Sequence, residues 1–161
     1  MKQNKTAALT QGALIAAVYV VLTLAASALG LSSMAIQLRL SEALCVLPCF
    51  FPAAVPGLTL GCLLANLLTG GVVWDVIFGT LATLLGAMGT RLLRRHRFLA
   101  VLPPVVANTV MVPPVLAYAY QLPYGLPFLT VTVGLGEVLS CGVLGSLLYG
   151  VLDKHKNSLS R

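Results

Sequence analysis

The stretch Ser41–Leu68, "SEALCVLPCFFPAAVPGLTLGCLLANLL", decides how the chain folds. As one rod it is a single long apolar helix; broken at its prolines it is two short ones. Pro48, Pro52 and Pro56, with Gly57 after them, interrupt the run. A proline removes a helical hydrogen bond and clashes with the preceding turn, so the chain is expected to turn near "PAAVPG", residues 52–57. Two segments follow, at approximately 41–54 and 55–69.

Outward from this stretch the pattern repeats. A membrane helix needs about 20 largely apolar residues, and 12–31, 75–93, 98–120 and 127–152 each supply such a run. The pairs Pro103-Pro104 and Pro113-Pro114 are expected to kink the fifth run. The first is too long, and lacks a small-residue cleavage site, for a cleaved signal peptide. Composition agrees: 58% of the 161 residues are hydrophobic and 9% charged, with a mean hydropathy of +0.97. A soluble domain carries roughly 25% charged residues, so this surface is suited to lipid. The expected fold is an all-α integral membrane protein, one compact six-helix domain over residues 1–161.

Charge placement tests the count. With six spans, Lys2, Lys5, Arg91, Arg94, Arg95, Arg97, Lys154, Lys156 and Arg161 share one side, nine of the ten basic residues. By the positive-inside rule that side is cytoplasmic and holds both termini. Five spans would split these residues across both faces. The net charge of +6 therefore lies in short runs between apolar spans. It forms no uniform basic face, and no nucleic-acid partner is expected. Cys45, Cys49, Cys62 and Cys141 lie in apolar stretches without a histidine partner and read as small buried hydrophobes, so no metal or cofactor is expected.

Few polar groups remain away from the basic runs: Gln37, Arg39, Glu42, Asn66, Asp75, Asn108 and Glu137. Glu42 and Asp75 open spans two and four at the outer side, where they can cap helix N-termini or meet a ligand. Glu137 lies roughly 14 Å into the last span at 1.5 Å per residue. An acid at that depth costs on the order of 2.5–3.5 kcal/mol and needs a partner or a cavity. Arg39 pairs with Glu42, snorkels to headgroups or meets ligand; Asn66 and Asn108 are interhelical hydrogen bonders or ligand contacts. Trp74, Tyr118, Tyr120 and Tyr124 form an aromatic belt or a stacking surface for a flat ligand. In "AIQLRLSEAL", residues 35–44, apolar and polar residues alternate up to Ser41. That period implies an extended strip leading into a helix. No nucleophile–base pairing, zinc-protease motif or phosphate-binding loop is present, so no enzyme is expected and any pumping must borrow energy from another protein or from an ion gradient. A channel or proton-coupled carrier using Glu137 is the rival class, although such carriers are usually larger and built on repeats.

The motifs "IQLRLSEALCVLPCF", "GCLLANLLTGG" and "WDVIFGTLATLLGAMGTRLLRR", in this order, resemble the QueT family of S components of energy-coupling factor (ECF) transporters. "VLPPVVANTV" and "TVGLGEVLSCGVLG" look like that family's last two spans. The resemblance implies a subunit in a bacterial cell membrane that captures a queuosine precursor, such as 7-aminomethyl-7-deazaguanine or queuine. It further implies docking on a transmembrane scaffold with two cytoplasmic ATPases, and delivery by toppling in the bilayer. A different vitamin on the same scaffold is the nearer rival. S components dock through an Ala-x-x-x-Ala strip on the first helix, which Ala13 and Ala17 fit, with Gly12 and Ala16 beside them. A deazaguanine offers N–H donors and a flat ring, and its aminomethyl group is cationic. Glu137, Asp75 and Asn108 are thus the leading ligand contacts, followed by Glu42, Asn66, Gln37 and Arg39, with Trp74 as the aromatic neighbour.

Overall fold

The computed structural model describes residues 5–30 and 39–155. Gln37, Lys2, Lys156, Arg161 and most of the alternating strip lie outside these residues, as does the last position of the expected first span. Among the described residues all regular structure is helical. Helix α1 covers Lys5–Ala28 and is followed by a 3-10 helix, Leu40–Cys49. Then come α2 (Ala54–Leu68), α3 (Val73–Leu92) and α4 (Leu102–Tyr118). The chain ends with α5 (Leu126–Glu137), a π-helical segment (Val138–Leu144) and α6 (Gly145–Lys154). These last three run on as one apolar helix of 29 residues, Leu126–Lys154. It and α1 and α3 are long and apolar enough to cross a membrane; the other helices are shorter.

The chain does break inside 41–68, but at Phe50–Ala53, slightly before the expected turn. Pro56 falls in the first turn of α2, where a missing N–H costs no intrahelical bond. The segment before the break is a 3-10 helix, closed by bonds such as Phe50 N–H to Leu47 O at 3.0 Å. At about 2.0 Å per residue, a 3-10 helix reaches further than an α-helix of equal length. It packs on α1, α3, the π segment and α6, so it lies inside the bundle. Seven of its ten residues are buried: Ser41, Glu42 and Leu44 through Pro48. Arg91 donates to the Pro48 carbonyl at 2.9 Å and closes its C-terminal end, where carbonyls lack helical partners.

Sequential helices pack side by side: α1 on α2, α2 on α3, α3 on α4 and α4 on α5. Glycines set the closest approaches. A Cβ on Gly57 would stand 2.7 Å from the Gly12 carbonyl oxygen, and one on Gly61 would stand 2.8 Å from Tyr19 Cβ. On the other side, a Cβ on Gly86 would meet Pro104 Cα at 2.7 Å. Helix α4 runs through Pro113 and Pro114. Neither proline can donate, so the carbonyls of Thr109 and Val110 lose their α-helical partners.

The ends of the bundle differ. Arg91 closes the 3-10 helix, the Arg97 guanidinium lies 5.7 Å from the Tyr149 ring centroid, and Phe50 packs on Tyr149 at 4.9 Å. The basic residues Arg91 to Arg97 therefore gather where α3 ends and α6 closes. At the opposite end Tyr120 reaches Val72 and Asp75 across the α2–α3 turn.

Replacing Gly57 by Val should push α1 off α2 and cost about 1–3 kcal/mol, as overpacking does. The control is Gly150→Ala, because a Cβ there meets nothing within 4 Å. Thermal unfolding in detergent should show a lowered midpoint for the first variant and none for the second.

Candidate functional site

The buried polar side chains converge in two groups. The first forms where the 3-10 helix meets α1 and the π segment. The Tyr19 hydroxyl donates to Glu42 Oε1 at 2.6 Å, and Tyr19 is only 3% exposed. One turn further, Thr23 Oγ1 donates to the Tyr19 carbonyl and shares a hydrogen bond with Ser41 Oγ, both at 2.9 Å. Glu137 ends α5, and Cys141 follows four residues later in the π segment. The Cys141 thiol lies 3.6 Å from Glu137 Oε2 and 3.3 Å from the Glu42 carbonyl oxygen. Ligand atoms of Glu42, Glu137 and Cys141 all fall within 4.8 Å of one another, close enough to converge on a cation.

Asn108, on α4, is 1% exposed and near enough to act electrostatically on the Glu137 carboxylate. Neither its Oδ1 nor its Nδ2 has a hydrogen-bond partner of good geometry. The Ser140 hydroxyl, beside Cys141 in the π segment, is likewise buried and unpartnered.

The second group surrounds Asp75 in the first turn of α3. Tyr120 donates to Asp75 Oδ2 at 2.9 Å, and Arg39 lies 4.0 Å from Oδ1. Asn66 donates to the Asp75 carbonyl at 3.4 Å and contacts Cys62 Sγ at 3.5 Å. Gly79 leaves room for this amide, since a Cβ there would stand 3.0 Å from Asn66 Nδ2. Arg39 links the groups: ion-paired to Asp75, it also lies within electrostatic range of Glu42, Tyr19 and Glu137.

Several expectations change. Neither Glu42 nor Asp75 caps its helix, because the N-cap positions are Arg39 and Val72 and neither helix has a side-chain cap bond. Glu42 does stand in the first turn of its helix, but it is buried beside Glu137 and against Tyr19 of α1. Arg39 pairs with Asp75 rather than with Glu42. Trp74 does not join the polar groups. It is 58% exposed, stacks on Phe78 at 6.0 Å, and lines an apolar cavity of about 430 Å³ with Val110, Met111, Pro114 and Tyr118. On α1, Ala13 and Ala17 are exposed, whereas Gly12 and Ala16 pack on Gly57 and Gly61 of α2. The small strip therefore serves two surfaces.

Sequence reasoning missed Tyr19, Thr23 and Cys141 and assigned Tyr120 to the aromatic belt. The spacing carried a signal: Tyr19 and Thr23, like Glu137 and Cys141, stand four residues apart and share a helix face.

A family profile described as "QueT transporter" matches residues 9–154. Over 85 residues the chain is 38% identical to the protein named "Queuosine precursor transporter QueT" of Lactococcus lactis subsp. cremoris. That alignment covers 52% of this chain and 49% of the relative, so the chain spans about half the length of the curated relative it matches. No solved structure matches it.

Tyr19→Phe removes the close donor to Glu42 and leaves a buried carboxylate short of one hydrogen bond. A loss of about 1–3 kcal/mol is expected. Tyr118→Phe, at a side chain 78% exposed, should leave the unfolding midpoint unchanged.

Proposed function

The chain belongs to the QueT transporter family, with the profile matching residues 9–154, and from that premise we propose that it is the substrate-binding S component of an ATP-driven ECF transporter for a queuosine precursor. One observation carries the reading: buried acids, amides and Arg39 converge within a chain that is otherwise apolar. Such groups are expensive in lipid and usually mark a substrate or ion path. On this reading residues 1–161 form one six-span membrane domain with both termini in the cytoplasm. The basic cluster at the ends of α3 and α6 then faces inward, and the Asp75–Tyr120 end faces out.

The cargo is a deazaguanine of the 7-aminomethyl-7-deazaguanine or queuine type. Glu137, Glu42 and Asn108 contact it on one side, and Asp75, Asn66 and Arg39 on the other. Gln37, two residues before Arg39 in sequence, is a further proposed contact. Tyr19 holds Glu42 in place, and Tyr120 holds Asp75. Trp74 remains a membrane-interface residue, since its ring lies on Phe78. The exposed Ala13 and Ala17 form the docking strip for the transmembrane scaffold, which couples to two ATPases. ATP-driven toppling in the bilayer then carries the cargo inward. A second reading draws on the Glu42–Glu137 juxtaposition, which would suit the proton site of an ion-coupled carrier.

Glu137→Gln should weaken binding of the deazaguanine to the purified protein by about tenfold or more, the usual scale for a charged hydrogen bond. Unchanged affinity would remove Glu137 from the site. Replacing Ala13 and Ala17 by Leu should abolish co-purification with the scaffold and ATPases while ligand binding persists. Uptake into vesicles should require the ATPases, whereas gradient-driven uptake without them would favour the carrier.

A further inference from the structure

Among the described residues, no cation is ion-paired to Glu42 or Glu137. The guanidinium nearest to them, Arg39, is ion-paired to Asp75. The close donor to the pair is the Tyr19 hydroxyl on Glu42; the Cys141 thiol, with its one proton, lies nearer the Glu42 carbonyl oxygen at 3.3 Å than Glu137 Oε2 at 3.6 Å, and the Asn108 amide group stands beside Glu137. Both glutamates are buried, at 2% and 4% exposure. Two carboxylates this close repel each other in a medium of low dielectric constant, and the repulsion is relieved by a proton shared between them or by a positive charge that binds there. Counting Asp75, three buried carboxylates thus share a single guanidinium among the described residues.

Asn108 supplies the second, independent sign of a missing ligand. Its carbonyl oxygen is an acceptor with nothing to accept, held beside Glu137 at 1% exposure. A buried amide oxygen with no donor is costly, so an arrangement that leaves one open is expected to be completed by something that binds.

We propose that Glu42, Glu137 and Asn108 Oδ1 form the seat of a primary ammonium group on the cargo. The protein therefore selects 7-aminomethyl-7-deazaguanine over uncharged analogues with the same ring. An ammonium has three N–H donors and no acceptor, which matches two carboxylates and one amide oxygen. The proposal rests on the deazaguanine reading of the cargo and narrows it to the cationic member. A divalent metal fits less well. The Cys141 thiol is engaged with the Glu42 backbone carbonyl at 3.3 Å, and Tyr19 occupies one oxygen of Glu42 at 2.6 Å. A metal would need the thiolate and would displace the tyrosine.

The test is calorimetric titration of the full chain in nanodiscs with 7-aminomethyl-7-deazaguanine and with 7-cyano-7-deazaguanine, which share the ring and differ in the charged group. The aminomethyl compound should bind on the order of 100-fold more tightly, as expected for a buried charge pair. Glu42→Gln and Glu137→Gln should each shrink that ratio, and the wild-type ratio stands even if a variant fails to fold. Equal affinity, or a preference for the cyano compound, overturns the ammonium seat while leaving the cargo class intact. Binding of neither compound overturns the cargo reading and this inference with it. Stoichiometric uptake of Zn²⁺ by chelator-treated protein, with loss of amine binding, would make the trio a metal site and also overturn it.

Discussion

A carboxylate away from water must be answered by the protein, and this constraint organises the bundle. The sequence has four acids, Glu42, Asp75, Glu137 and Asp153, and the first three are buried. Glu42 and Asp75 are met by groups far away in sequence, Tyr19 of α1 for the first and Tyr120 and Arg39 for the second, and Glu137 by Cys141 one turn on with Asn108 of α4 alongside. The first two tie α1 to the 3-10 helix and α3 to the end of α4. Polar contacts thus draw the helices together in a surrounding where lipid tails give no hydrophobic drive for helix association. Close glycine contacts then let the helices approach, as at Gly57 and Gly61 against α1.

The irregular helices sit where the acids are. In the 3-10 helix a bond such as Glu42 N–H to Arg39 O, at 3.0 Å, lets ten residues stretch from the carboxylate cluster to Arg91. An α-helix of ten residues would span about 15 Å rather than about 20 Å. The π segment works in the opposite sense: wider turns with i→i+5 bonds, such as Gly145 N–H to Ser140 O, rotate the side chains that follow Glu137. Cys141 is thereby brought to both acids, and a glycine at 145 lets the segment close on Val46 and Cys45. Departures of this kind cluster at functional sites because they re-aim side chains without leaving backbone groups open to lipid.

Much of this was legible in the sequence because its signals were strong and local. Apolar runs between "RLLRRHR" and "DKHKNSLSR" marked the helices, and three prolines marked a break, expected at residues 52–57 and found at 50–53. Scarcity of charge made Glu137, Asp75 and Asn108 conspicuous. The depth of Glu42 was not legible, since helix-start rules place an acid after "RLS" at a surface-facing first turn. Burial of that turn is a tertiary outcome, set by Thr23 and Tyr19 on α1. Tyr120 was assigned to the belt because a tyrosine at a span's end ordinarily sits there. Its partner Asp75 is 45 residues away, and no local pattern encodes such a pairing.

Arg39 has a position that follows from the same constraint. A guanidinium is always charged, so it cannot avoid the cost of burial by losing its proton. Lying between Asp75 and the Glu42–Glu137 pair, it offsets part of their charge. On the proposed ammonium seat, that partial offset leaves negative charge at the deeper pair for a cation. Asp75 holds the arginine by an ion pair, and the Tyr120 hydroxyl donates to Asp75 in turn. Had Arg39 paired with Glu42 instead, the deep site would hold one carboxylate already satisfied. Its recognition of a positive charge would fall to Glu137 alone.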